Sequence, residues 1–287
     1  MNIVELAGSK FVVTSEICPP KGIDVSGMLE DAELLREKVD AINVTDQQSS
    51  VMRLGAIAVS HILKEKGLEP ICQITCRDRN RIALQSDLLS AAALGAENIL
   101  CLTGDYVSLG DHPDAMPVFE LDSVSLLIAA RTLREGYDMA GGKLSGSPKF
   151  CLGAVVTPCA DPLEPQLIKM EKKIASGAQF FQTQAVYDPK VFACFMEQTK
   201  GFNVPVLVGI IPLKSAKMAR YMNKNVAGIN VPEALIAEME NAEDKAAKGI
   251  EIAARLIKEM KPLCQGVHIM PIGWEKNVPK ILDEAGL

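Results

Sequence analysis

Eight short apolar, β-branched runs recur along the chain, and each is followed by a stretch with the period of an amphipathic helix. The runs are KFVVTSE (10–16), VDAINVT (39–45), EPICQITC (69–76), ENILCLTGD (97–105), KFCLGAVV (149–156), AQFFQTQ (178–184), VPVLVGI (204–210) and GVHIMPI (266–272). Helical spacing predicts helices near 24–38, 53–66, 79–94, 121–135, 163–176, 188–200, 214–223 and 243–260, with a short last helix after Trp274. Most runs are apolar on both faces, as strands are in a parallel sheet covered by helices. Eight βα units in 287 residues fit an α/β fold of the closed (β/α)8 TIM-barrel type. An open doubly wound sheet is the competing arrangement. It uses fewer strands and often carries a phosphate-binding glycine loop, and neither G-x-G-x-x-G nor G-x-x-x-x-G-K-[ST] occurs. No Pro/Ser linker or charge run divides the chain. The Gly-rich stretch 136–148 reads as a long connection, so residues 1–287 read as one domain.

Composition removes several function classes. A net charge of −6 lacks the basic stripe of a nucleic-acid or anionic-membrane protein. No apolar run has the length of a membrane span, and the N-terminal residues show no basic segment leading into an apolar one, so a cytoplasmic location is expected. The eight cysteines are scattered, without a C-x-x-C pair or zinc spacing, and several lie within apolar runs, where a thiol serves as a small hydrophobe. Reduced structural thiols and no metal are the expectation.

In such a barrel, chemistry gathers where strands end and βα loops begin. The first strand ends at Glu16, and Pro19-Pro20 then stiffen its exit. Later strands end in Thr45 through Ser50, Gln73 through Asp78, Thr103-Gly104-Asp105, Thr157 through Asp161, Gln182 and Gln184, Lys214 and finally HIMPIGWE. Isolated carboxylates, hydroxyls and amides of this kind suit a polar heterocycle. The bland alternatives stand beside that reading. A carboxylate at a strand end can cap the next helix or pair with a lysine. Lys169, Lys172 and Lys173, at i, i+3, i+4 spacing, form either a solvated basic face or a grip on phosphate. His268, the one histidine on a strand, reads as a satisfied core residue.

Six motifs then carry a resemblance: SEICPP (15–20), NVTDQQ (43–48), QITCRD (73–78), LTGD (102–105), KMEKKIASGAQFFQTQAVYD (169–188) and GIIPLKS (209–215). Together they span nearly the whole length, and the last three are specific in order and spacing. The chain resembles methylenetetrahydrofolate reductase, its bacterial catalytic barrel alone. The resemblance implies a flavin- and folate-binding barrel that reduces 5,10-methylenetetrahydrofolate to 5-methyltetrahydrofolate in one-carbon metabolism, ahead of methionine biosynthesis. The resemblance also implies that the hydride comes from flavin N5. It further implies Glu16 as the general acid toward folate N10, Asp105 beside flavin and folate, and Gln184 on the pterin. Cofactor contacts fall to Thr45, Gln73, Leu102, Thr103, Gly104, Asp105, Asp161, Lys169, Lys172 and Lys173.

The chain departs from the family pattern at several of these positions. Gln73 stands where a histidine lies beneath the flavin, and LTGD replaces LRGD. Thr157 and Asp161 stand where a tyrosine and a histidine are usual, and Ala216 replaces a nicotinamide-stacking phenylalanine. The cofactor expected is therefore FAD, with FMN as the alternative, and the electron donor is NAD(P)H or a redox partner protein. Competing readings are a flavin-independent folate reductase and a catalytic-fold subunit of a larger redox complex. A homo-oligomer, or membership of a complex, follows from the resemblance alone.

Overall fold

The computed structural model describes residues 2–287. Eight strands, β1 Val12–Ile17, β2 Ala41–Val44, β3 Pro70–Thr75, β4 Asn98–Leu102, β5 Cys151–Val156, β6 Phe180–Ala185, β7 Val206–Ile210 and β8 Gly266–Ile269, pair in chain order. The pairs are parallel, and β8 closes on β1, where Thr14 lies in register with His268. All eight apolar runs of the sequence therefore became barrel strands.

The helices are α1 Ile3–Ala7, α2 Ser26–Leu35, α3 Ala56–Glu65, α4 Arg81–Ala93, α5 Ser123–Arg134, α6 Glu164–Ala175, α7 Pro189–Thr199, α8 Ala216–Asn225, α9 Glu233–Asn241, α10 Lys245–Met260 and α11 Val278–Ala285. Sequence periodicity did not announce α1 or α9. The first is five residues long, too short to display a helical period. The second begins after Pro232, a residue that readily opens a turn as well as a helix. Several helices start on a side-chain cap supplied by the βα loop: Asn80 for α4, Asp122 for α5, Asp188 for α7 and Ser215 for α8. No helix of the described residues is long and apolar enough to cross a membrane.

Alternate residues of each strand face opposite ways, which creates two cores. One lies between strands and helices and holds Val13, Ile42, Cys72, Ile99, Leu152, Phe181, Val208 and Val267 with the helix faces. The other fills the lower barrel lumen with Val12, Ala41, Ile71, Leu100, Cys151, Phe180 and Leu207. Helix α1 closes that end: Ile3 is fully buried in the lumen core, and its backbone N–H donates to Asn98 Oδ1 at 3.2 Å. Phe180 fits because β5 supplies Gly153, where a Cβ would come within 2.3 Å of the ring. The eight cysteines are unpaired, and burial pushes the Cys72 thiol up to about 12.

Candidate functional site

Above the lumen core, the inward positions turn polar. Val12 is followed by Thr14 and Glu16, Ala41 by Asn43, Ile71 by Gln73 and Thr75, and Phe180 by Gln182 and Gln184. These residues lead to a cavity of about 420 Å³ at the C-terminal ends of the strands, lined among others by Glu16, Gln73, Thr103, Asp105, Lys173, Gln184 and His268. A volume of this order matches ligand and cofactor sites.

Glu16 is buried at 7% exposure. Its Oε1 accepts from Gln48 Nε2 at 3.1 Å, and its Oε2 lies 3.6 Å from His268 Nε2. The other imidazole nitrogen, Nδ1, meets Thr14 Oγ1 at 3.0 Å. Thr14 Oγ1 also accepts from Gln182 Nε2 at 3.3 Å, and Gln182 exchanges two hydrogen bonds with Asn43, at 2.7 and 3.0 Å. A buried polar layer built from four strands thus holds the imidazole against the carboxylate. Such a layer is stable because its members satisfy one another. The rigid exit of β1 is also anchored: the Pro19 carbonyl accepts from Arg53 and the Pro20 carbonyl from the Leu54 N–H.

His268 is therefore both satisfied and part of the cavity wall, which its reading as a core residue missed. Its inward position two residues after Gly266 was the available signal. Asn43 and Gln182 were equally hard to place, because their mutual pairing crosses the barrel.

Asp105 is exposed on the β4–α5 loop, where its Oδ2 accepts the Ser49 N–H at 3.1 Å. Asp46, buried at the end of β2, accepts from the Thr75 N–H at 2.8 Å and Thr75 Oγ1 at 2.9 Å, and pairs with Arg79. Asp46 was named in the sequence only as part of the strand end 45–50, and Arg79 was not named. A charged pair at this depth must be matched, and the pair ties the β2 and β3 ends together.

Strands β6 and β7 shift register between Gln182 and Ala185, a bulge of the kind that re-aims side chains beside sites. Gly209 permits it, since a Cβ there would lie 2.2 Å from the Thr183 carbonyl oxygen. The bulge leaves Gln184 half-buried on the cavity wall, with its Oε1 accepting from the Ala185 N–H at 2.9 Å.

The three lysines separate. Lys169 and Lys173 line the cavity, whereas Lys172 is exposed and stands apart from it. Four residues make a little more than one helical turn, so 169 and 173 share a face. Lys173 is 5% exposed, and its Nζ donates to the Val155 carbonyl at 2.6 Å. Burial, reinforced by like charge on Lys169, pushes its ammonium down to about 8. This lysine is not on a solvated face. An ammonium has three donors, and this one makes one hydrogen bond within the described residues, so an anionic group in the cavity fits it.

Of the other expected cofactor contacts, Gln73, Leu102, Thr103, Gly104 and Asp105 line the same cavity. Thr45 does not: it is buried, with its hydroxyl directed to the Ile17 carbonyl at 3.4 Å. Asp161 is exposed on the β5–α6 loop and also lies outside the lining. Thr45 follows directly on β2 and its hydroxyl is taken up by the neighbouring strand, while Asp161 lies five residues beyond β5 on its loop.

A model of the methylenetetrahydrofolate reductase family matches residues 3–286. Methylenetetrahydrofolate reductase 2 of Schizosaccharomyces pombe is 27% identical over 257 residues, covering 81% of this chain and 38% of that protein. 5,10-Methylenetetrahydrofolate reductase of Pectobacterium carotovorum is 25% identical over 266 residues, covering 90% of this chain and 83% of that protein. The chain thus spans between 35% and 42% of the length of relatives from fission yeast and Caenorhabditis elegans, and most of the bacterial relative. Among solved structures, an uncharacterized protein from Clostridium thermocellum, described as binding two copies of 5-methyl-5,6,7,8-tetrahydrofolic acid, aligns with a TM-score of 0.66. Its identity is 16%, with 98% of this chain and 96% of that chain covered, and the likeness is one of fold. With the family model matched from Ile3 to Gly286, this chain belongs to the methylenetetrahydrofolate reductase family.

Proposed function

We propose that the protein reduces 5,10-methylenetetrahydrofolate to 5-methyltetrahydrofolate, with FAD or FMN bound at the C-terminal ends of the strands. The observation that carries the reading is the buried Glu16 carboxyl, which opens into the same cavity as Gln184 and the partly unsatisfied ammonium of Lys173. When bound, the flavin supplies a hydride. The protein's own residues do the rest. Lys173 and Lys169 hold the anionic part of the cofactor, while Gln73 and the 102–105 segment flank it. Gln184 offers its amide to the pterin.

Glu16 gives its proton to folate N10. The bond between N10 and the bridging carbon breaks, and the electron pair stays on nitrogen as the N–H forms. The carbon is left as an iminium on N5, and hydride addition there makes the methyl group. Asp105, exposed at the cavity edge, favours that cation. His268 keeps the carboxyl turned to the reaction, and general-acid help of this kind is worth about 10²–10⁴ in rate. The family match and the folate described in a protein of like fold support the same substrate.

Absorbance and mass of the cofactor released from purified protein test the flavin. Colourless, flavin-free protein that still reduces the folate ends that part of the reading.

A second reading concerns the electron donor. No Phe, Tyr or Trp is among the residues that line the cavity, and Ala216 opens α8 just beyond β7. The one ring on the wall, the His268 imidazole, is directed to Thr14 and Glu16, so no Phe, Tyr or Trp face is offered to a nicotinamide, which favours a redox partner protein as donor. Rapid flavin bleaching by NADH or NADPH in stopped flow eliminates this reading.

A further inference from the structure

The turn between β2 and α3 touches two of the carboxylates that line the site, Glu16 and Asp105. Gln48 Nε2 donates to Glu16 Oε1 at 3.1 Å, and the next residue's backbone N–H, from Ser49, donates to Asp105 Oδ2 at 3.1 Å. Ser50 Oγ adds a hydrogen bond to the Asp105 carbonyl at 3.2 Å. The turn holds a conformation that side-chain-bearing residues rarely adopt: φ is +50° at Gln47, +54° at Ser49 and +59° at Ser50. It is gripped from outside. Gln47 exchanges hydrogen bonds with the Arg53 backbone, at 2.8 and 3.2 Å, and Arg77 donates to the Gln47 carbonyl at 3.4 Å. Strained segments of this kind persist only where the surroundings over-determine them.

We infer that Gln48 is a positioning residue for the Glu16 proton, set in place by the Gln47–Ser50 turn. The inference rests on reading Glu16 as the acid. An amide nitrogen donates and does not accept, so Oε1 is committed to accepting. The transferable hydrogen then sits on Oε2, the oxygen 3.6 Å from His268 Nε2. As the Oε2–H bond breaks and the N–H bond forms at folate N10, negative charge spreads onto Oε1. The Gln48 donor is already there to receive it, which is stabilisation aimed at charge that develops during reaction. Without that donor only the His268 contact at Oε2 is left, and either oxygen carries the hydrogen.

Gln48→Leu and Gln48→Met keep the bulk and remove the donor. In the cofactor-loaded protein, the folate step and the reduction of the cofactor are measured separately in single turnovers, with melting temperature and Glu16→Gln in parallel. Both Gln48 variants should slow the folate step about tenfold, the size expected for a hydrogen bond to a charged group. Folate affinity and the cofactor-reduction rate should stay within about twofold. A normal folate step in both variants, while Glu16→Gln loses it, overturns the inference and leaves the acid standing. Normal turnover in Glu16→Gln overturns both. Equal losses in the two half-reactions with a lowered melting temperature also overturn it, because the turn is then only structural.

Discussion

The two ends of the barrel lumen are built from the same strands and the same alternation, yet they are opposite in character. The lower end is apolar and closed by Ile3 and Phe180. The upper end carries Glu16, Gln73, Gln182, Gln184 and His268 at the next inward positions. A strand needs two residues to return to the same face, so one step of about 7 Å along the strand separates core from site. The lower layer is held by burial of area, which is non-directional. The upper layer is held by specific pairings, Asn43 with Gln182 and Thr14 with His268, which fix orientation as well as position. Stability is concentrated below and chemistry above.

The sharpest test of that division is Glu16→Gln. Folate turnover should fall by about 10²–10⁴-fold with little change in melting temperature, and a variant that keeps its turnover abolishes the distinction at the upper end. Phe180→Ala probes the lower end. It should cost about 3–5 kcal/mol of unfolding free energy, read by denaturant titration, while the folded fraction keeps its cofactor and its rate per site. Loss of activity without loss of stability would mean the two layers are not separable.

Lys173 asks what the upper layer costs. The unfolded lysine holds its proton to about 10.5, while the buried one releases it at about 8. Between those values the unfolded chain binds more protons, so stability rises with pH. In cofactor-free protein, unfolding free energy relative to Lys173→Met should climb by up to about 3 kcal/mol across that window. A flat difference removes the buried ammonium. The smallest effect belongs to Ser49→Gly, which relieves a left-handed residue but loosens the unfolded chain. Calorimetry should place it within about 1 kcal/mol of the parent, and a larger loss would show that the serine side chain, and not its backbone, holds the turn.

Much of this was legible from residues in order. Eight alternations of apolar run and helical stretch left few folds open, and the strand ends named Glu16, Gln73, Asp105 and Gln184 as neighbours because a closed parallel barrel gathers all its C-terminal ends on one rim. What stayed hidden has two physical causes. Helix α1 is too short to show a period, although its Ile3 completes the lumen core. The lysine triplet could not be divided without knowing which helix face meets the barrel, and residues in order did not show that the Thr45 hydroxyl turns to the Ile17 carbonyl.

Local chemistry determined the elements, their order and the polar character of one rim, since propensity and alternation act over a few residues along the chain. Only the closed tertiary structure decided which atoms meet. Gln182 finds Asn43 across 139 residues, His268 comes to face Glu16, and Lys173 is drawn out of water. Pairings at such separation depend on how the sheet closes and on strand register, and neither is encoded in the neighbourhood of any one residue.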